Sequence, residues 1–280
     1  MSRCASDNPR VFITGGASGL GHALAMHYVE QGWRVLIGDL NLERCADTLV
    51  QLRAVSPASD AVACDVTIEA DVQVAAEWLQ QQWGGVDVVI NNAGVAQMGG
   101  IADASEADWR WIVDINLLGV ARGCRVFTPM LRAQGGGQLV NIASMAGLVH
   151  MPQAAAYNAT KAAVVALSET LQLELQADRI GVTVVCPAFF RTALAQNMRA
   201  SSPALEAMTK RLVERARIGP EQIARLIFEG VQRGETHILT HPEVRRTWLF
   251  KRVLPYALYL KLMRRHLAKV QARMQRKAVS

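Results

Sequence analysis

Tyr157 and Lys161 stand four residues apart in a stretch, 154–175, whose pattern predicts a helix, so both side chains project from one face. A phenol and an ammonium in that relation suit proton transfer. A free tyrosine has a pKa of about 10 and is a poor base at neutral pH, and lowering it by about three units requires roughly 4 kcal/mol. A lysine about 5 Å away, at an effective dielectric of about 20, supplies roughly 3 kcal/mol of that. The remainder has to come from another positive charge. Ser144 follows a buried-strand run, 139–143, and a hydroxyl at the carboxyl end of such a strand can hold a substrate oxygen. Singly, each feature also has a plainer reading: a pair on a helix surface, a serine capping the next turn.

A second group of residues has the types that bind rather than react. The run Thr14-Gly15-Gly16-Ala17-Ser18-Gly19-Leu20-Gly21 follows a β-branched segment and leads into a helical pattern over 20–31. Glycines let the backbone turn tightly and approach a pyrophosphate, and a helix N-terminus offers free N–H donors and partial positive charge. Asp39 ends the next strand-like run, 18 residues beyond Gly21, where an acid that grips an adenosine ribose is expected; a helix-capping aspartate is the alternative. Such a carboxylate repels a 2′-phosphate, and Ser18 and Leu40 beside it carry no charge. The reading is a nicotinamide dinucleotide, NAD(H) rather than NADP(H). Its oxidised ring is the extra positive charge that Tyr157 needs.

The elements that must position these groups follow from alternation. Short β-branched runs at 11–14, 34–39, 61–64, 86–91, 138–143 and 181–186 are separated by helical stretches long enough for crossovers, and 236–240 would be a seventh strand. The expected fold is α/β: a Rossmann-type, doubly wound, parallel seven-stranded sheet with helices on both faces. Between Pro187 and Gly219 the regularity weakens, with Ser201-Ser202-Pro203 inside it, and 188–219 is read as a mobile lid or substrate loop. Residues 1–244 form the expected catalytic domain, and 245–280 a basic helical extension.

Composition agrees. An apolar content of 51% with only 6% aromatics suits helices packed on a parallel sheet and argues against an all-β fold. The five cysteines, Cys4, Cys45, Cys64, Cys124 and Cys186, include no C-x-x-C pair and read as reduced thiols, so the cytoplasm is the expected compartment. Residues 1–10 hold no signal-peptide core, no apolar run reaches a membrane-spanning length, and no metal site is expected. The net charge of +6 is uneven: 11 of the 30 Lys and Arg lie in 245–280, which contains no acid. The rest of the chain is acidic, which removes the ground for a nucleic-acid partner.

Jointly, the glycine run, Asp65-Val66, Asn91-Asn92-Ala93-Gly94, Asn116, Ser144, Tyr157-x-x-x-Lys161 and Pro187 with Thr192 resemble the single-domain short-chain dehydrogenase/reductase family over roughly residues 9–244. The resemblance implies that Asp65 and Val66 contact adenine and that Asn92, Ala93 and Gly94 line the cofactor cleft. Asn116 would hold a water in a proton relay, Ser144 would orient the substrate carbonyl, Tyr157 would move the proton, and Lys161 would also bind the nicotinamide ribose. Pro187, Phe189 and Thr192 would meet the carboxamide. One departure is Ala188, where the family usually has glycine; alanine allows less close backbone approach and disfavours positive φ. The resemblance further implies a homodimer or homotetramer.

Met98, Met145, Leu148, Val149, Met151, Phe189, Phe190, Leu194 and Met198 are expected near the substrate and offer no charge, which suggests a lipophilic ketone or secondary alcohol. The competing class is a catalytically silent nucleotide-binding or scaffold protein on the same fold; the intact Ser144, Tyr157 and Lys161 weigh against it. Beyond Thr247 the tail reads as one helix with an apolar stripe of Tyr259, Met263, Leu267, Val270 and Met274 opposite Lys261, Arg265, Lys269 and Arg276. With Trp248, Phe250 and Tyr256 near its start, it would rest peripherally on an anionic membrane or dock on protein, either a neighbouring subunit or the acidic body.

Overall fold

Strands buried on both faces of a sheet must be apolar along their whole length, and β1 (Arg10–Thr14) and β2 (Arg34–Asp39) meet that condition: Val11, Phe12, Ile13, Val35, Leu36 and Ile37 are all fully buried. The computed structural model describes residues 8–192, 194 and 197–279, and of residues 244 and 270–279 the backbone alone. Between β1 and β2 lies α1 (Gly19–Glu30); α2 (Leu42–Val55), β3 (Asp60–Ala63), α3 (Glu69–Trp83) and β4 (Val88–Asn91) follow. Next come β5 (Gln97–Met98), α4 (Glu106–Val113), a π-helical turn at Asp114–Leu118, α5 (Gly119–Ala133) and β6 (Gly137–Ile142). A 3₁₀ turn at Met145–Gly147 leads to α6 (Ala155–Glu174) and β7 (Ile180–Val185), then β8 (Arg199–Ala200), α7 (Pro203–Glu214), α8 (Pro220–Gln232) and β9 (His237–Ile238).

Seven strands pair in parallel in the order β3-β2-β1-β4-β6-β7-β9. The chain therefore reverses its winding between β1 and β4, and the carboxyl ends of those strands open the crevice where such sheets take ligands. Arg10 fixes that seam from the other end, its backbone N–H and guanidinium donating to the Asp87 carboxylate at 2.8 and 2.9 Å. Strand ends lie within two residues of the sequence reading, and those of β2 coincide with it. Cys45, Cys64, Cys124 and Cys186 are buried free thiols; Cys4 lies outside the described residues.

Two expectations need correction. The stretch 188–219 is not an irregular loop: β8 pairs with β5 in a separate two-stranded ladder, and α7 follows. Ser202, read as a loop signal, is the N-cap whose side chain accepts from the Leu205 N–H at 3.3 Å, and Pro203 takes the first helical position, where its missing N–H costs nothing.

The tail is two helices, α9 (Pro242–Val253) and α10 (Tyr256–Val279), because Pro255 has no N–H to donate and keeps Leu254 extended at ψ 142°. On α10 the expected stripe of Tyr259, Met263 and Leu267 is the more covered side, while Leu258 and Leu262 are exposed. The side chains of Val270, Met274 and Arg276 lie outside the described residues. The chain divides into two compact units, 1–240 and 241–280. Among the described residues no helix is long and apolar enough to cross a membrane, and no cluster of His, Cys, Asp or Glu could hold a metal ion.

Candidate functional site

The turn after β1 exists because two glycines leave room for it. Gly15 has φ +64° and donates its N–H to the Gly38 carbonyl at 2.7 Å; a Cβ there would stand 3.0 Å from the Ala93 Cα. A Cβ on Gly21 would collide with the Gly15 carbonyl, so any larger residue would push α1 off the turn. Ser18, the N-cap of α1, makes no side-chain capping bond, and the first turn of the helix holds no acid. The positive end of the helix is thus available to an external anion, which fits a dinucleotide pyrophosphate.

Asp39 closes this end. Its carboxylate accepts from the Ala17 N–H and the Asn41 N–H, both at 3.1 Å, which fixes the side chain and leaves further lone pairs facing the cleft. Asn92 donates its side-chain amide to the Thr14 carbonyl at 2.8 Å, and the Thr14 hydroxyl accepts from the Asn92 and Ala93 N–H groups at 3.0 and 3.1 Å. These bonds tie the turns after β1 and β4 into one wall. Asp65 forms an Asx turn, accepting from the Thr67 N–H at 2.8 Å and the Thr67 hydroxyl at 2.7 Å.

At the other end, Tyr157 and Lys161 come from the first two turns of α6. The Tyr157 phenol and the Ser144 side chain line the same cavity, and Ser144 acts to lower the phenol's pKa. The Lys161 ammonium donates to the Ile142 carbonyl at 2.9 Å and lies 5.9 Å from the centre of the Tyr157 ring. Gly94 faces both groups: a Cβ on it would press on the Asn116 Oδ1 at 3.2 Å and touch the lysine nitrogen at 3.5 Å in ordinary contact. Asn116 belongs to the π-helical turn, and its side-chain amide is committed to Val95, accepting from the N–H at 2.8 Å and donating to the carbonyl at 2.9 Å.

The electrostatics differ from the expectation of an acidified phenol. Burial pushes the Tyr157 hydroxyl above its ordinary value; the Ser144 hydroxyl works against that, and the neighbouring Cys186 adds to the rise. Burial also lowers Lys161 to about 8, because the ammonium loses its hydration and Cys186, itself pushed up to about 12 by burial, is a neutral thiol at neutral pH. Desolvation is the leading cause of both shifts.

Both ends open on one cavity of about 320 Å³. Gly15, Ser18, Gly19, Leu20, Asp39, Leu40, Asp65, Val66, Asn92, Ala93 and Gly94 line one part of it; Ser144, Tyr157, Lys161, Pro187, Phe189 and Thr192 line the other. Thr14, Ala17, Gly21 and Asn116 do not reach the cavity and act on its walls through the contacts just described. Met98, Met145, Met151, Phe189, Phe190, Leu194 and Met198 form the apolar end, whereas Leu148 and Val149 are buried away from it.

Residues the sequence reading missed include Arg44 at the Asp39 end, Ile115 from the π-helical turn, and Asn197, Thr209 and Val213 from the β8–α7 region. Arg44 was findable, since it is the third residue after the Asn41 N-cap and its own N–H takes the capping bond at 3.0 Å. Thr209 and Val213 required knowing that α7 exists. Ala188 lines the cavity without strain, because among the described residues the non-glycine positions with positive φ are Gln153 and Arg179.

Residues 9–203 match the family model for short chain dehydrogenases. The chain is 34% identical over 219 residues to a D-threitol dehydrogenase of Mycolicibacterium smegmatis, covering 78% of this chain and 84% of that protein. It is 29% identical over 257 residues to the probable oxidoreductase EphD of Mycobacterium tuberculosis, covering 89% of this chain but spanning 43% of that protein's length. The crystal structure of a short-chain dehydrogenase/reductase from Burkholderia phymatum in complex with NAD superposes with a TM-score of 0.83 at 34% identity, over 88% of this chain and 93% of that one. Sheet order, glycine turn and family match agree, and the chain belongs to the short-chain dehydrogenase/reductase family of oxidoreductases.

Proposed function

We propose that the chain is an NAD(H)-dependent oxidoreductase that interconverts a lipophilic ketone and the corresponding secondary alcohol, with Tyr157 as general acid and base. The observation that carries this reading is a single cavity lined at one end by the glycine turn and Asp39 and at the other by Ser144, Tyr157 and Lys161. When bound, the nicotinamide supplies or accepts the hydride. The α1 N-terminus would hold the pyrophosphate, Asp39 the adenosine ribose, and Lys161 the ribose next to the reacting ring.

Ser144 orients the substrate oxygen toward Tyr157. In reduction Tyr157 gives that oxygen its proton, and a phenol held above its ordinary value carries the proton at neutral pH. In oxidation Tyr157 must first give up its own proton; the phenolate, stabilised by the Lys161 charge that it in turn favours, then takes the proton from the alcohol and is the phenol again. Asn116 has its amide engaged by Val95, so a water relay would use a main-chain carbonyl opened by the wider π-helical turn.

The preference for NAD(H) rests on the fixed Asp39 carboxylate against one cation, Arg44, on an exposed side chain. The NAD complex of the Burkholderia phymatum relative supports it. The methionine and phenylalanine lining supports a lipophilic substrate over a polyol. The test is a screen of NADH and NADPH oxidation over hydrophobic ketones, with Tyr157→Phe as control and fluorescence titration of both cofactors. Turnover is expected with NADH, and Tyr157→Phe should lose about 10²- to 10⁴-fold in rate while still binding NADH. Tighter binding of NADPH would overturn the cofactor assignment, retained turnover in Tyr157→Phe would overturn the mechanism, and no turnover with any carbonyl would favour the silent binding protein.

A further inference from the structure

The unit 241–280 places large apolar side chains where a solvated helix would carry polar ones. On α9, Leu249, Phe250 and Val253 recur at spacings of three and four, which puts them with Arg246 on one face. All three are exposed, Phe250 by 61% and Val253 by 79%, and Tyr256 just past the Leu254-Pro255 corner is exposed by 67%. Arg245 and Arg252 flank the same face. From Arg245 onward there are 11 Lys and Arg and no acid.

We propose that this face of α9 seats on the surface of an anionic lipid bilayer, with Leu249, Phe250, Val253 and Tyr256 entering the headgroup boundary and the flanking arginines meeting lipid phosphates. Charge complementarity selects the occupant. A second copy docking α9 against α9 would bring two strongly basic segments together, which like charges oppose, and one docking through its acidic body would show as a change in oligomeric mass. A nucleic acid would satisfy the arginines but would leave Phe250 and Val253 in water. An interface that is apolar within and anionic at its rim satisfies both sets, and α9 would lie along it rather than cross it.

The test is flotation of the full chain with vesicles of equimolar phosphatidylglycerol and phosphatidylcholine, and with vesicles of phosphatidylcholine alone. The chain should float with the first and not the second, and the double variant Phe250→Glu, Val253→Glu should partition roughly tenfold less. NADH binding and the melting temperature report that the variant is folded, so a failure of the proposed enzyme activity leaves this test standing. Flotation with neither vesicle overturns the proposal. So does flotation that survives the double substitution, which would mark a purely ionic attraction of the kind a nucleic acid also satisfies, or a change in the variant's oligomeric mass, which would make the face a subunit contact.

Discussion

Lys161 is 4% exposed, and no carboxylate contributes to its pKa, which burial lowers to about 8 from 10.5. The sign of the resulting stability change follows from proton counting. Below pH 8 the lysine is charged in both folded and unfolded chains, and the folded one bears the desolvation cost. Between about 8 and 10.5 the unfolded chain still holds the proton and the folded one has released it, so stability contributed by this residue rises with pH. Lys161→Met removes the cost. Its stability advantage over the wild type should therefore be largest at neutral pH and shrink by about 3 kcal/mol as pH reaches 10.5, measured by urea unfolding across that range. A gap that stays constant with pH would refute the assignment. The spacing of Tyr157 and Lys161 was legible because four residues is one helical turn. Their protonation was not, because it depends on Ile142, Ser144 and Cys186, which come from other elements.

Two-residue strands carry no period, so β5 and β8 were invisible to pattern reading, yet they shape the substrate end of the cavity. Their ladder is closed by the Arg199 N–H to the Ala96 carbonyl at 3.0 Å and the Ser201 N–H to the Met98 carbonyl at 2.9 Å. Strand alternation turns Met198 and Ala200 inward, where they pack with Met98, Ala154, Tyr157 and Leu205. Arg199 turns outward. Its guanidinium lies 4.0 Å over the Trp111 ring and 3.1 Å from the Asp108 carboxylate, whose bond from the Ser105 hydroxyl chiefly holds it below the usual aspartate value. Arg199, anchored on α4, thus holds β8 so that Met198 packs on the Met98, Ala154 and Leu205 cluster that Tyr157 also packs against, and α4 is the helix that runs on into the turn bearing Asn116. An exposed stack and ion pair together contribute about 1–2 kcal/mol. Arg199→Ala should accordingly raise KM for the carbonyl substrate about tenfold, with a smaller change in kcat and none in NADH affinity. Arg199→Lys, which keeps the charge and loses the planar stack, should fall between. An equal loss of NADH binding would show general disruption instead.

Over the whole molecule, the seam where the sheet reverses its winding brings Gly15, Asp39, Asn92 and Ser144 to the carboxyl ends of the strands; strand runs and crossover lengths pointed to a doubly wound parallel sheet, while motifs and resemblance marked the residues. Contacts distant in sequence, such as Asn116 with Val95 or Arg199 with Asp108, did not follow, because nothing local marks them. The tail was legible in charge and misread in shape, since one proline divides it. Charge and compactness nonetheless divide the chain at nearly the same place. The unit 241–280 carries 11 basic residues and one acid, Glu243, so removing it takes the net charge from +6 to −4. The sheet, the glycine turn and the Tyr157 region all lie before that boundary. A chain ending at Thr240 should therefore bind NADH with unchanged affinity and melt within about 3 °C of the full chain, a difference of less than about 1 kcal/mol. It should also lose retention on a cation exchanger at neutral pH. A melting point lower by more than about 10 °C, or lost NADH binding, would mean that the tail belongs to the catalytic fold rather than standing as a unit of its own.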